Sequence, residues 1–170
     1  NKYTSTRPRT IDLFTDGLGR ELGNAMEDSY YSLSDSAFSH EWTNGDYYGN
    51  PVYEQKFLHR TFEKAHEDFS KAPQTTTIML LVPRIPTASW WHYTKYYEVL
   101  HTYPKGSKIY SCPAKDTYNT HQLEPAGQEG GPDRVFIQGT PFEAVLLYRD
   151  INTPVRVDDC VLTHLRLGHY

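Results

Sequence analysis

The chain has 170 residues, a length that suits one domain around one core rather than two independently folded units. Lys and Arg total 17 against 21 Asp and Glu, a formal charge of -4, which excludes the broad positive field of a nucleic-acid coat protein and confines any DNA contact to a local patch. A hydrophobic content of 38% is too low for a membrane-embedded chain, and 14% aromatics, with 14 Tyr and 3 Trp, are too many for a disordered one.

No stretch approaches the run of about 20 apolar residues that spans a bilayer, and the polar, basic residues 1–9 are unlike a signal peptide. Cys112 and Cys160 are the only cysteines, too few for a disulfide framework, so a reducing intracellular compartment, cytoplasmic or nuclear, is expected. Without Met at position 1 the chain reads as an excised domain.

In chain order, residues 10–15 (TIDLFT) predict a short strand stopped by the turn-forming Asp16-Gly17-Leu18-Gly19. Residues 20–42 show no useful periodicity and receive no assignment. Residues 45–51 (GDYYGNP) predict a short strand running into a loop. From 54 to 70, Phe57, Leu58, Thr61, Phe62, Ala65 and Phe69 recur at three- and four-residue spacing between charged residues, which predicts an amphipathic helix. The unbroken apolar run 76–82 predicts a strand buried on both faces, ended by Pro83. A second, aromatic-rich helix is expected over 88–100, a short strand over 108–111 and a Gly- and Pro-rich loop over 112–133. Residues 134–138 and 144–149, joined at Gly139-Thr140-Pro141, predict an antiparallel hairpin. Together these elements imply an α/β sandwich with a mostly parallel sheet, whose ligands would sit at the carboxyl ends of the strands. The loops 12–19 and 49–54 are therefore the ones that matter.

Gly49-Asn50-Pro51-Val52-Tyr53 falls between a predicted strand and the helix. The Asn50 side-chain carbonyl and the Pro51 main-chain carbonyl can both accept from one exocyclic amino group, while Tyr53 offers a stacking face to a planar base. Held so, an adenine amino nitrogen presents its lone pair to an electrophilic methyl without a strong base. The plain alternative is an Asn-Pro turn with a tyrosine over the core. Asp12, at a strand end before Gly17 and Gly19, suits a cofactor ammonium or ribose hydroxyl, or else merely precedes a chain reversal. After the buried strand, Arg84 and Lys95 are candidate phosphate partners, with Trp90, Trp91 and His92 flanking a base or backbone. The plain alternative places one of the two tryptophans on the core face of the next helix; adjacent helical residues point in different directions, so the pair is not expected to be buried equally.

The order of these segments resembles the phage-type (Dam-like) DNA N6-adenine methyltransferases, a family that also occurs within retroelement polyproteins. That family has Asn-Pro-Pro-Tyr before a helix, then a strand ending in Leu-Pro followed at fixed spacing by Trp-Phe-His, a spacing that Pro83 and Trp90-Trp91-His92 reproduce. Lys105-Gly106-Ser107-Lys108-Ile109-Tyr110 resembles its Lys-Gly-Arg-x-x-Phe, and Thr140-Pro141-Phe142-Glu143-Ala144 resembles its closing Pro-Phe-x-x-Ala strand. The likeness covers residues 10–150. It implies a minimal Rossmann-like methyltransferase sheet with a C-terminal antiparallel hairpin, a domain over 1–150 and a tail or linker over 151–170. It further implies S-adenosylmethionine as cofactor, lined by Asp12, Phe14, Gly17 and Gly19, and DNA as partner, contacted by Arg84, Trp90, Trp91, His92, Lys95 and Lys108. Asn50, Pro51 and Tyr53 would hold the target adenine.

The sequence departs from the pattern at Val52, where the second Pro is expected, at Arg84-Ile85, where the Arg is displaced by one position, and at Ser107 in place of an Arg. Only 38 positions separate Asp12 from Asn50, short for a full cofactor half. These departures leave open a module that keeps the methyltransferase fold for nucleic-acid binding or an architectural role without catalysis. A nuclease built on Asp12, Asp16, Glu27 and Asp28 ranks last, because only Asp150, Asp158 and Asp159 follow on later strands. The tail His164-Leu165-Arg166-Leu167-Gly168-His169 is similar to the start of the His-His-Cys-Cys zinc module of retroelement integrases, but the cysteine pair is missing, so no metal site is expected.

Overall fold

The computed structural model describes residues 10–14, 29–31, 35–109, 111–113, 134–136 and 139–157. The amphipathic run forms α1, Gln55–Lys71. Leu58, Phe62, Ala65 and Phe69 are all buried, so the helix commits one face to the sheet. Glu54 starts it, its carboxylate accepting from the Lys56 and Phe57 amides at 3.0 and 2.8 Å. Those two bonds hold the Glu54 carboxyl below its ordinary value.

The strands are β1 (Thr10–Asp12), β2 (Ser29–Tyr30), β3 (Asp46–Gly49), β4 (Thr77–Pro83), β5 (Glu98–Tyr103), β6 (Ser111–Pro113), β7 (Arg134–Phe136) and β8 (Ala144–Arg149). Six of them form one sheet in the order β2-β1-β3-β4-β8-β5. β2, β1, β3 and β4 run parallel, while β8 is antiparallel to both of its neighbours. The architecture is therefore mixed α/β, mostly parallel. Period-two alternation sends Ile78, Leu80 and Val82 of β4 into one core with Leu13, Tyr47, Val145 and Leu147, under α1. Phe62 stacks on Trp90 at 5.2 Å and meets the edge of Tyr97 at 5.8 Å.

Three expectations are corrected. The aromatic-rich segment is not one helix over 88–100: a short 3-10 helix, Trp91–Tyr96, ends at the extended Tyr97, and β5 follows. Thr94 bonds its hydroxyl to the Trp91 carbonyl three residues back at 2.7 Å, which suits the tighter 3-10 turn, and Val99, Thr102 and Tyr103 favour the open edge of β8. Lys108 lies in a loop rather than a strand; the next strand begins at Ser111. Residues 134–138 and 144–149 do not make a hairpin, because β7 pairs with β6 while β8 inserts between β4 and β5. The burial of Ala144, Val145 and Leu147 explains this, since a strand covered on both faces belongs inside a sheet. The unassigned region contributes β2 and a 3-10 turn, Ala37–Ser39.

Asp68 of α1 ties this turn region to the helix. Its buried carboxylate accepts from the Trp42 amide at 2.9 Å and from the Lys64 and Lys71 ammonium groups at 2.8 and 3.2 Å. Burial raises the Asp68 carboxyl, but the hydrogen bonds from Lys64, Trp42 and Lys71 together outweigh it and hold the group below the ordinary aspartate value. A folded value below the unfolded one stabilises the protein at neutral pH, and that stabilisation disappears as pH falls through the folded value. Asp68→Asn is expected to lose about 1–3 kcal/mol at pH 7. Urea midpoints should show the gap to wild type closing below about pH 4.

Candidate functional site

β1 lies between β2 and β3, both later in the chain, so the strand order reverses between β1 and β3. In open α/β sheets such a reversal leaves a crevice beyond the carboxyl ends of the strands. Here the carboxyl end of β1 carries Asp12 and Phe14, and that of β3 carries Asn50 and Pro51. The two ends are joined where the Leu13 amide donates to the Tyr48 carbonyl at 2.8 Å.

Asp12 is 2% exposed and its Oδ1 accepts from the Phe14 amide at 3.3 Å. The register sets Asp12 opposite Tyr48 and Asp46 opposite Thr10, so Asp12, Asp46 and Tyr48 share the sheet face away from α1. Burial, reinforced by the Asp12 carboxylate and by Tyr103, pushes the Tyr48 phenol far up, so it stays a protonated donor beside Asp12. Sequence reasoning missed Tyr48; as one of two tyrosines in Asp46-Tyr47-Tyr48-Gly49 it carries no signal until the register is known. Asp46 accepts a short hydrogen bond from the Thr77 hydroxyl.

Among the described residues Asn50 Oδ1 is shielded from solvent and has no hydrogen-bond partner. A buried acceptor left unpaired costs about 1–3 kcal/mol, so its presence at a strand's carboxyl end asks for a donor that the described residues do not supply. Pro51, also buried, fixes the backbone after it. Val52 is 65% exposed, at the position where the resemblance expects proline. Tyr53 is half-buried, with its ring edge-on to Phe142 at 5.1 Å and its hydroxyl 3.5 Å from the Leu81 carbonyl.

Gly49 is required by close approach: a Cβ there would lie 3.0 Å from Leu80 and 3.1 Å from Phe14. Phe14 leans over this glycine and packs against Phe57, Phe38 and Trp42 at 5.2, 5.8 and 6.1 Å between ring centres. Phe14, expected to line the cofactor, is thus held in an aromatic cluster. Gly17 and Gly19 lie outside the described residues.

The DNA-contact candidates separate. Trp90 is 1% exposed and stacked on Phe62, so it is a core residue with no face to offer a base, and its assignment as a DNA contact is corrected; the unequal burial of the pair follows from the divergence of neighbouring side chains. Trp91, Arg84 and Lys95 come together, lining a cavity of about 150 Å³ floored by Val145 and Leu147 of β8. His92 is exposed, bonded through Nδ1 to the Ser89 carbonyl at 2.8 Å and against Tyr93 at 4.2 Å. His92 and Lys108 do not line that cavity; Lys108 is exposed in the loop after β5. Arg156 joins the cavity from the segment after β8, within Pro154-Val155-Arg156-Val157, which has no pattern to mark it.

Of the acids of the nuclease reading, Asp16, Glu27, Asp28, Asp158 and Asp159 lie outside the described residues, as do Cys160, His164 and His169. Among the described residues no cluster of three or more His, Cys, Asp or Glu can hold a metal ion, and no helix is long and apolar enough to cross a membrane. Compared with protein-family models and with curated proteins, the chain matches none.

Proposed function

We propose that this chain is an S-adenosylmethionine-dependent DNA adenine N6-methyltransferase-like domain of a phage or mobile element, with a minimal Rossmann-like sheet. The observation that carries the reading is the buried carboxamide oxygen of Asn50, unpartnered among the described residues, beside the β1/β3 reversal. An exocyclic amino group is the kind of donor that would satisfy it. Asn50 Oδ1 and the Pro51 carbonyl would accept the two N6 hydrogens, drawing the amino group out of conjugation and aiming its lone pair. Tyr53, already braced by Phe142, would cover the flipped base.

On the cofactor side, a buried Asp12 carboxylate beside a protonated Tyr48 fits an ammonium or ribose hydroxyl. Bound S-adenosylmethionine supplies an electrophilic methyl group on a sulfonium sulfur. With the DNA contacts confined to Arg84, Trp91, Lys95 and the exposed His92 and Lys108, target selection would draw on neighbouring domains of a longer polyprotein.

A second reading, a nucleic-acid-binding or architectural module of the same fold without catalysis, is favoured by one contact: Phe14 packs within 3.1 Å of the Cβ position at Gly49, where a cofactor ring would otherwise approach. Calorimetry with S-adenosylmethionine separates the two. The enzyme reading expects saturable binding that Asp12→Asn weakens by about tenfold or more, the loss of one charge-assisted hydrogen bond. No binding at millimolar cofactor leaves the second reading in possession.

A further inference from the structure

The cavity over β8 and β5 holds the DNA-contact candidates Arg84, Trp91 and Lys95 and adds a third cation, Arg156, that the methyl-transfer reading does not use. Its cations come from three separate parts of the chain: Arg84 after β4, Lys95 on the 3-10 helix, and Arg156 after β8. Among the described residues no carboxylate lines it. The nearest carboxylate contact to these cations among the described residues is Glu143, whose Oε2 is 3.8 Å from Arg84 Nε, with both side chains about half exposed. Such a pair is weak and leaves most of the guanidinium available. Among the described residues Lys95 makes no ion pair; its ammonium rests 5.2 Å from the Tyr96 ring.

Arg156 is positioned rather than loose. Its amide donates to the Lys95 carbonyl at 2.7 Å, and its Nε and Nη2 donate to the carbonyls of Tyr97 and Thr94 at 2.8 and 2.7 Å. The two side-chain bonds to the carbonyl-rich end of the 3-10 helix fix the plane of the guanidinium, and the amide bond anchors its backbone, so little side-chain entropy remains to be lost on binding. Trp91 forms a wall and the Thr102 side chain also lines the space. Cations gathered over an apolar floor, with no acid among the described residues that line it, repel one another and favour the entry of an anion. The volume, about 150 Å³, is that of an apolar cavity that takes one benzene ring, room for one compact group.

We propose that this cavity is a binding site for a single phosphate group, with Arg84, Lys95 and Arg156 as its contacts. Phosphate fits better than a flat carboxylate because the three donors approach from three different chain segments and a tetrahedral group has oxygens on every side. The inference shares with the methyltransferase reading only the assignment of Arg84 and Lys95 as phosphate contacts, and it stands if no methyl transfer occurs. The phosphate can come from a nucleic-acid backbone or from a free phosphorylated small molecule.

Trp91 is the tryptophan at the cavity, Trp42 and Trp90 being fully buried, so tryptophan fluorescence of the full chain reports its occupancy. Titration with inorganic phosphate is expected to give a saturable change that chloride at equal ionic strength does not. Lys95→Met should weaken it about tenfold and Lys95→Arg should restore it. If a short DNA duplex competes with phosphate, and Lys95→Met lowers the slope of log affinity against log salt by about one, the source is a backbone phosphate. If phosphate binds and the duplex does not compete, the source is a small molecule. The proposal is overturned if phosphate gives no saturable change, or if Lys95→Met and Arg84→Met, each folded as judged by its melting curve, bind phosphate like wild type. Calorimetry with S-adenosylmethionine on the same samples keeps the two readings apart, because cofactor binding without phosphate binding removes only this site.

Discussion

Asn50→Ala is expected to lower methyl transfer to adenine-containing DNA by about a hundredfold, the scale on which a misplaced reacting group loses rate. The same substitution should leave stability unchanged or slightly raised. The two halves of this result belong together. Asn50 Oδ1 is buried without a partner among the described residues, so truncation removes an unsatisfied polar atom rather than a hydrogen bond. A structural Asn-Pro turn behaves in the opposite way, since there the side chain would hold the loop and its loss would lower the urea midpoint while leaving any activity proportional to folded protein. S-adenosylmethionine affinity should change little, because Asn50 is assigned to the base and not to the cofactor. A loss of stability of more than about 1 kcal/mol with undiminished turnover would remove Asn50 from the mechanism.

The largest expected effect on stability lies at Trp90. With 1% exposure and a stacked contact to Phe62 at 5.2 Å, Trp90→Ala should cost about 3–5 kcal/mol, the range for deleting a buried aromatic ring. Trp91→Ala, at a half-buried ring on the cavity wall, should cost about 1 kcal/mol or less and should act instead on phosphate binding. Urea titrations with matched slopes make the comparison. Equal losses at the two positions would contradict the division of the pair into a core residue and a cavity wall.

That division shows what can be read before a fold is known. Adjacent side chains diverge, so unequal burial of the pair is expected, but only the stacking on Phe62 says which one is buried. α1, β3 and β4 are legible because their signals are local: Leu58, Phe62, Ala65 and Phe69 repeat with the helix, and the run ending at Pro83 is apolar on both faces. β5 was not legible, because Trp90 to Tyr97 mixes aromatic and polar residues at helical spacing and hides the change to a strand at Glu98. The partners of β8 were not legible either. Pairing between Ala144 and Pro83, or Ala144 and Tyr103, is a long-range fact that no local pattern contains.

The candidate site divides in the same way. Asn50 and Pro51 could be placed at a strand's carboxyl end from turn chemistry alone, and the β1/β3 reversal bears on them directly. Phe14 could not, since its packing on Phe57, Phe38 and Trp42 depends on how α1 crosses the sheet. Tyr48 emerges through register with Asp12, and Arg156 through three hydrogen bonds to carbonyls about sixty positions earlier.

Transfer of a tritiated methyl group from S-adenosylmethionine to DNA, followed by identification of the labelled nucleoside, tests the central claim most directly. The account predicts label on the N6 of adenine from wild-type chain and a loss of about a hundredfold with Asn50→Ala. Label on no base, from chain that binds the cofactor and the duplex, would contradict it.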